Sequence, residues 1–266
     1  MCETCGCGNK NGFRIVDPGS GEFTHEHDHH GIHSHSHAHH HDDMNEHPHQ
    51  DKIILNVDIL AENNRIAALN RRFFEGRKVL CINMVSSPGS GKTTILEKSI
   101  LELKKKRKIY VIEGDQQTTL DADRIKKTGV HAIQINTGSG CHLDARMVDA
   151  ALQKLDIEAG SILFIENVGN LVCPAIFDLG EKERVLVMSV TEGEDKPLKY
   201  PAMFETSHLC IINKSDLLPH VDFNKDEFIK NALHINPHLE FIELSAKNGD
   251  GMNDWQEWII NKNPAS

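Results

Sequence analysis

The chain has 266 residues, a length that suits one or two domains. Its 29 Lys and Arg against 39 Asp and Glu give a formal net charge of −10, which excludes a nucleic-acid binder relying on a broad basic footprint. No run approaches the roughly 18 apolar residues of a membrane span, and no apolar signal core opens the chain. Seven Cys in such a chain suit a reducing, cytoplasmic setting with thiols kept free rather than a disulfide frame.

Residues 1–51 hold nine acidic and two basic side chains, a charge of −7, which leaves −3 for the remaining 215 residues. Twelve of the 18 His lie between His25 and His49. Apolar periodicity is nearly absent there, so the stretch cannot offset its ordering entropy by burial. It reads as a metal-binding tail over 1–51, disordered unless metal organises it, ahead of a folded body over 52–266. Cys2, Cys5 and Cys7 crowd three thiols into six residues. With a nitrogen donor they can form a four-coordinate site, planar for Ni(II) or tetrahedral for Zn(II). The irregular His-rich segment offers neutral imidazoles that suit nickel, copper or zinc, and reads as a store or local buffer.

In the body, Ile59, Leu60, Ile66, Leu69, Phe73 and Phe74 recur at helical spacing, predicting an amphipathic helix over Asp58–Glu75. Strands and helices then alternate. The predicted strands are Val79–Val85, Lys108–Ile112, His131–Ile135, Ser161–Glu166, Arg184–Val190, Leu209–Asn213 and Leu239–Leu244. The predicted helices are Thr93–Lys106, Leu120–Lys127, Ala145–Leu155, Asp226–Leu233 and Trp255–Asn261. Buried strands alternating with helices mean an α/β fold with a mainly parallel sheet flanked by helices. Right-handed crossovers bring the strand-to-helix loops to one edge, where ligands bind.

Between the first strand and its helix runs Ser86-Ser87-Pro88-Gly89-Ser90-Gly91-Lys92-Thr93, followed by Thr94. This is the phosphate-loop pattern with Ser86 in place of its first Gly. Successive backbone N–H groups and a helix N-terminus hold phosphates, Lys92 adds a mobile charge, and the Thr93 hydroxyl can ligate Mg²⁺. Asn213-Lys214-Ser215-Asp216 follows a later strand and matches the guanine-recognition motif. A carboxylate only accepts hydrogen bonds, so Asp216 can pair with the N1–H and 2-amino group of guanine, a donor pair that adenine lacks. Asn213 steadies the loop or approaches N7, and the Lys214 stem lies along the base. Ser245-Ala246-Lys247 resembles the second guanine loop, with the Ala246 N–H directed at O6. Glu113-Gly114-Asp115 and Glu166-Asn167-Val168-Gly169 end two other strands. Glu166 can hold Mg²⁺, the Gly169 N–H can sense a γ-phosphate, and Asp115 is placed to orient or deprotonate the attacking water.

Cys141 and His142 follow the third predicted strand and Cys173 the fourth, so a parallel sheet delivers all three to the phosphate-loop edge as a Ni/Zn ligand set. Cys173 lies seven residues beyond Glu166, so a γ-phosphate acting on Gly169 would shift a thiol ligand. Cys81 and Cys210, inside apolar strands, read as core.

Taken in order, Cys-x-x-Cys-Gly-Cys, the His-rich insert, Ser-Pro-Gly-Ser-Gly-Lys-Thr-Thr, Glu-Gly-Asp, Gly-Cys-His-Leu-Asp, Glu-Asn-Val-Gly-Asn-Leu-Val-Cys-Pro and Asn-Lys-Ser-Asp resemble the HypB family over nearly the whole chain. The resemblance implies the SIMIBI class of P-loop GTPases, slow Mg²⁺-dependent hydrolysis of GTP to GDP and phosphate, and a role in nickel insertion into [NiFe]-hydrogenase. It also implies a GTP-favoured homodimer sharing the metal site at Cys141, His142 and Cys173. The implied partners are a HypA-type nickel chaperone and the maturation complex of the hydrogenase large subunit. A lysine of the loop around Lys196 would approach the phosphates. Two other readings compete: a nickel or zinc store with a secondary nucleotide site, and a urease-type nickel-delivery GTPase.

Overall fold

A computed structural model describes residues 13–17, 23–25, 48–116, 120–138 and 140–262. Its strands are β1 (Arg14–Val16), β2 (Phe23–His25), β3 (Leu80–Ser86), β4 (Ile109–Asp115), β5 (His131–Asn136), β6 (Ile162–Glu166), β7 (Glu183–Ser189), β8 (Leu209–Asn213) and β9 (Glu240–Glu243). They form one sheet in the order β2-β1-β5-β4-β6-β3-β7-β8-β9. β3 to β9 pair parallel, while β1 runs antiparallel to β5 and β2 antiparallel to β1. The seven parallel strands are those predicted, within three residues at each end.

The helices are α1 (Pro48–Gly76), α2 (Lys92–Leu103), α3 (Leu120–Lys127), α4 (Ala145–Leu152), α5 (Cys173–Ile176), α6 (Lys196–Lys199), α7 (Pro201–Glu205), α8 (Lys225–Ile235) and α9 (Met252–Lys262), with a 3-10 turn over Ser215–His220. β3 shows how the core divides. Its Leu80, Ile82 and Met84 pack with Leu96 and Ile100 of α2 and Trp255 of α9. Cys81, one residue out of phase, packs on the opposite face with Phe74 of α1 and Val148 of α4. Val85 joins a third cluster with Met203, Phe204 and Phe228. Period-two alternation thus feeds two faces, and both are covered. Trp255 and Trp258 stack at 5.5 Å between centroids and are buried.

Three features depart from the expected organisation. First, two stretches of the expected tail are strands: Ile15 pairs with Ile135, and the buried Phe13 and Ile15 join the core beside α4. A few apolar residues suffice once an edge strand already exists to pair with. Second, α1 begins at Pro48, ahead of the expected boundary; of the predicted apolar set Phe74 is buried and Ile59, Leu60, Ile66 and Phe73 are half-buried, and Asn63, Ala67 and Asn70 make up the rest of the buried stripe. Leu69 is exposed. The Asn side chains bond backbone: Asn63 Nδ2 donates to Asp178 O, and Asn70 Nδ2 to Ala145 O and Leu179 O. Third, α5, α6 and α7 are too short for a periodicity reading. Cys2, Cys5, Cys7 and His27–His47 lie outside the described residues.

Candidate nucleotide and metal site

The phosphate loop joins β3 to α2. Gly91 caps α2 at φ 96, and a Cβ there would fall 2.4 Å from Asn213 Nδ2, so only glycine fits. Ser86 ends β3 buried, its hydroxyl donating to Ser87 O at 2.8 Å; the departure from Gly is accommodated. Lys92 Nζ lies 2.9 Å from Glu166 Oε1, and Thr93 Oγ1 donates to the same oxygen at 2.6 Å. Glu166 Oε2 is buried with no protein partner. Thr94 Oγ1 instead takes a bond from Arg124 of α3 at 3.1 Å. Ser87 Oγ donates to Glu192 Oε2, and Glu192 Oε1 accepts from Ser189 N. Lys196 Nζ approaches Glu192 at 3.8 Å.

Three carboxylates meet at the ends of β4 and β6. Glu113 pairs in register with Glu166, and Asp115 lies two residues on. Burial first, then the Glu166 and Asp115 charges, push the Glu113 carboxyl up to about 9, against an opposing pull from Lys92. Glu113 is therefore neutral at pH 7. Asp115 Oδ1 accepts from Gln116 N, and its carbonyl takes the Thr137 N–H. Gly169 passes so close to Pro88 that a Cβ would sit 3.2 Å from Pro88 Cα, which puts the Glu166–Gly169 segment directly against the phosphate loop.

The base-side motifs lie on the same edge. Asn213 Nδ2 donates to Ser90 O at 2.8 Å, and its Oδ1 accepts the Ala246 N–H at 3.1 Å. That N–H, expected to face O6 of guanine, here ties the two base loops together. Lys214 sits at φ 61 and turns its Nζ back onto Gly89 O at 2.7 Å. Ser245 Oγ donates to Asp216 Oδ1 at 2.7 Å, aligning the carboxylate. Lys247, after Ala246, is exposed, and its carbonyl accepts from Lys98.

Cys141, His142 and Cys173 converge with their ligand atoms all within 4.8 Å of one another. Cys141 Sγ is 2.8 Å from Cys173 Sγ and 3.8 Å from His142 Nδ1. The His142 ring stacks on Phe177 at 4.0 Å. Burial lowers the imidazole pKa, outweighing Asp144, so the neutral, ligating form prevails. Two thiols and an imidazole are a donor set for Ni(II) or Zn(II), one donor short of four-coordination. Cys81 and Cys210 are wholly buried in strands, where burial raises both thiols; they are core residues.

Sequence reasoning missed the polar residues behind these loops: Asn83, Asn167, Glu181 and Arg184, all buried. Asn83, a polar residue amid the apolar interior of β3, was the available signal. Phe177 and Glu192 carried none.

A phosphate loop after a central parallel strand, with base-recognition loops after β8 and β9, defines a P-loop nucleotide-binding protein. Residues 80–243 match the CobW/HypB/UreG nucleotide-binding domain. The chain is 59% identical over 211 residues to a hydrogenase maturation factor HypB of Rhizobium leguminosarum bv. viciae, covering 79% of this chain and 71% of that one. It is 56% identical over 203 residues to the HypB of Escherichia coli K12, covering 76% and 70%. The crystal structure of HypB from Helicobacter pylori in complex with nickel superposes with a TM-score of 0.72 at 38% identity, covering 76% of this chain and 95% of that one. HypB from Archaeoglobus fulgidus gives 0.72 at 37% identity, covering 77% and 100%. The chain belongs to the HypB family of hydrogenase maturation factors.

Proposed function

We propose that the chain is a GTP-hydrolysing nickel metallochaperone that loads or delivers Ni(II) during [NiFe]-hydrogenase maturation, its metal affinity and dimerisation set by the bound nucleotide. One observation carries the reading. β6 ends in Glu166, which grips the phosphate-loop Lys92 and Thr93, and the same connection continues to Cys173, a member of the Cys141–His142–Cys173 cluster. Nucleotide and metal chemistry thus share one strand end. The nickel complex of the Helicobacter pylori relative supports the choice of metal, and zinc fits the same donors.

In this reading Asp216, aligned by Ser245, selects guanine, while Asn213 and Lys214 brace the base loop against the phosphate loop. Lys92 and the N-terminus of α2 bind the phosphates. Thr93, Glu166 and Asp115 are the residues that would hold Mg²⁺; the buried, unpartnered Glu166 Oε2 fits a cation. When bound, Mg²⁺ neutralises charge on the β- and γ-phosphates. Asp115 orients the attacking water, and Gly169, pressed against Pro88, senses the γ-phosphate. The apo or GDP form loads nickel; GTP closes a homodimer and repositions the ligands; slow hydrolysis resets the cycle. The Cys2, Cys5 and Cys7 thiols and the His-rich segment serve as further nickel or zinc donors. A HypA-type nickel chaperone and the hydrogenase large-subunit maturation complex are the exchange partners. Disruption of the gene, followed by hydrogenase assay with and without excess nickel, tests the reading. Lost activity restored by nickel is expected; full activity in the disruptant would refute it.

A further inference from the structure

We propose that the Asn167 carboxamide is the positioning group that carries the nucleotide state to the metal ligands. The inference rests on the nucleotide-controlled metal affinity proposed above and names the residues that transmit it.

Asn167 directly follows Glu166, whose carboxylate is held by Lys92 and Thr93, so a ligand that draws either residue off Glu166 displaces the Asn167 backbone. The carboxamide then faces both ligand loops. Its Oδ1 accepts from Leu143 N at 3.2 Å, immediately after His142, and from Val168 N at 2.9 Å. Its Nδ2 donates to Asn83 Oδ1 at 3.3 Å. From Asn83 a second branch begins: Asn83 Nδ2 donates to Glu181 Oε1 at 3.0 Å, which also accepts from Arg184 Nε at 2.9 Å. Arg184 Nη1 and Nη2 donate to the carbonyls of Ala175 and Phe177 at 3.0 and 2.9 Å. Ala175 lies two residues past Cys173, and the Phe177 ring is the one stacked on His142. One branch therefore holds the Cys141–His142 loop and the other the Cys173 segment; they join at Asn167, and the Phe177–His142 stack brings their far ends together.

Burial makes the chain of bonds act as a unit. Asn83, Asn167, Glu181 and Arg184 are each less than 8% exposed. A buried polar group left without its partner bears its full desolvation penalty, so the network moves between satisfied arrangements rather than parting at one bond. Close packing around it favours two discrete positions over a graded drift.

The test uses the full chain with Cys2→Ser, Cys5→Ser and Cys7→Ser, so that leader thiols do not compete. Nickel is titrated with GDP or with a non-hydrolysable GTP analogue, read by the thiolate-to-nickel charge-transfer absorption. The parent is expected to show about a tenfold affinity ratio between the two nucleotides, within the range usual for coupled sites. Asn167→Ala should bring that ratio to within about twofold of unity while GDP and analogue affinities hold, and Asn83→Ser, which cuts only the Cys173 branch, should fall between. An unchanged ratio in Asn167→Ala, even with weaker nickel binding overall, assigns the residue to scaffold alone and overturns the inference. Should Asn167→Ala not fold, an unchanged ratio in Asn83→Ser overturns it equally. A parent ratio of one would refute the coupled function itself, a result distinguishable from both.

Discussion

The two halves of the ligand edge are built differently. The nucleotide half is made of short contiguous motifs whose side chains occupy one another: Lys92 and Thr93 on Glu166, Lys214 on Gly89, Asn213 on Ser90, Ser245 on Asp216. The metal half is assembled from two loops 32 residues apart in sequence, and its donors face chiefly each other. The contrast shows two ways to prepare a site. Charged phosphate binders are kept satisfied by internal bonds that a ligand must replace, because unpaired buried charge is costly. Thiols and a neutral imidazole are tolerated in buried surroundings and need chiefly to be gathered.

The sharpest way to break this contrast is Lys92→Ala. Removing the phosphate-facing charge should lower single-turnover GTP hydrolysis by about 10²–10³-fold, on the scale of losing one preorganised transition-state donor. Nickel affinity of the nucleotide-free protein should shift by no more than about tenfold, the coupling range, since Lys92 also holds Glu166; a loss as large as that of hydrolysis would show that the halves are not separately built. Cys173→Ser is the converse. Nickel affinity should fall by at least the roughly 10–100-fold typical of losing an outer-shell support, while GDP affinity measured by calorimetry is unaltered. Asp216→Asn replaces an acceptor with an amide. GTP affinity should drop by roughly 10–100-fold, the scale of hydrogen bonds to a charged group, and xanthosine triphosphate, with a carbonyl where guanine has its amino group, should bind better than before. Equal losses for both nucleotides would show that Asp216 does not read the base.

Glu113→Gln sharpens the contrast from the stability side. The folded carboxyl is raised to about 9, so in ligand-free protein the folded state retains a proton that the unfolded chain releases near pH 4.5. Stability therefore falls as pH rises from the unfolded value toward the folded one. The amide removes that titration. The variant should gain about 1–2 kcal/mol over the parent at pH 8 and little at pH 5, after discounting for relaxation around a buried charge. Urea denaturation at both pH values checks it; a pH-independent difference would mean that Glu113 does not titrate within the fold.

Local chemistry made most of the nucleotide half legible. A phosphate loop, an Asn-Lys-x-Asp turn and apolar strands are contiguous patterns, and β3, β4, β6 and β8 stand close to where periodicity placed them. Cys141, His142 and Cys173 could be assigned to one edge because a parallel sheet delivers every strand-to-helix loop there. Hidden from that reading were residues whose role depends on a distant partner. Asn63 and Asn70 lie outside the apolar periodicity of α1, yet they clamp Ala145 and the 178–179 backbone. Glu192, in the stretch Thr191-Glu192-Gly193-Glu194-Asp195, belongs to no motif, yet it is bonded to Ser87.

What the linear order of residues determined by itself is the chemistry available: which groups can bind phosphate, which can accept from a base and which can take a soft metal, all set by side-chain type and spacing of a few positions. Only the tertiary structure decided which of those groups share an environment. Buried polar atoms must find partners wherever the fold brings them, and the Asn83–Asn167 contact spans 84 residues for that reason.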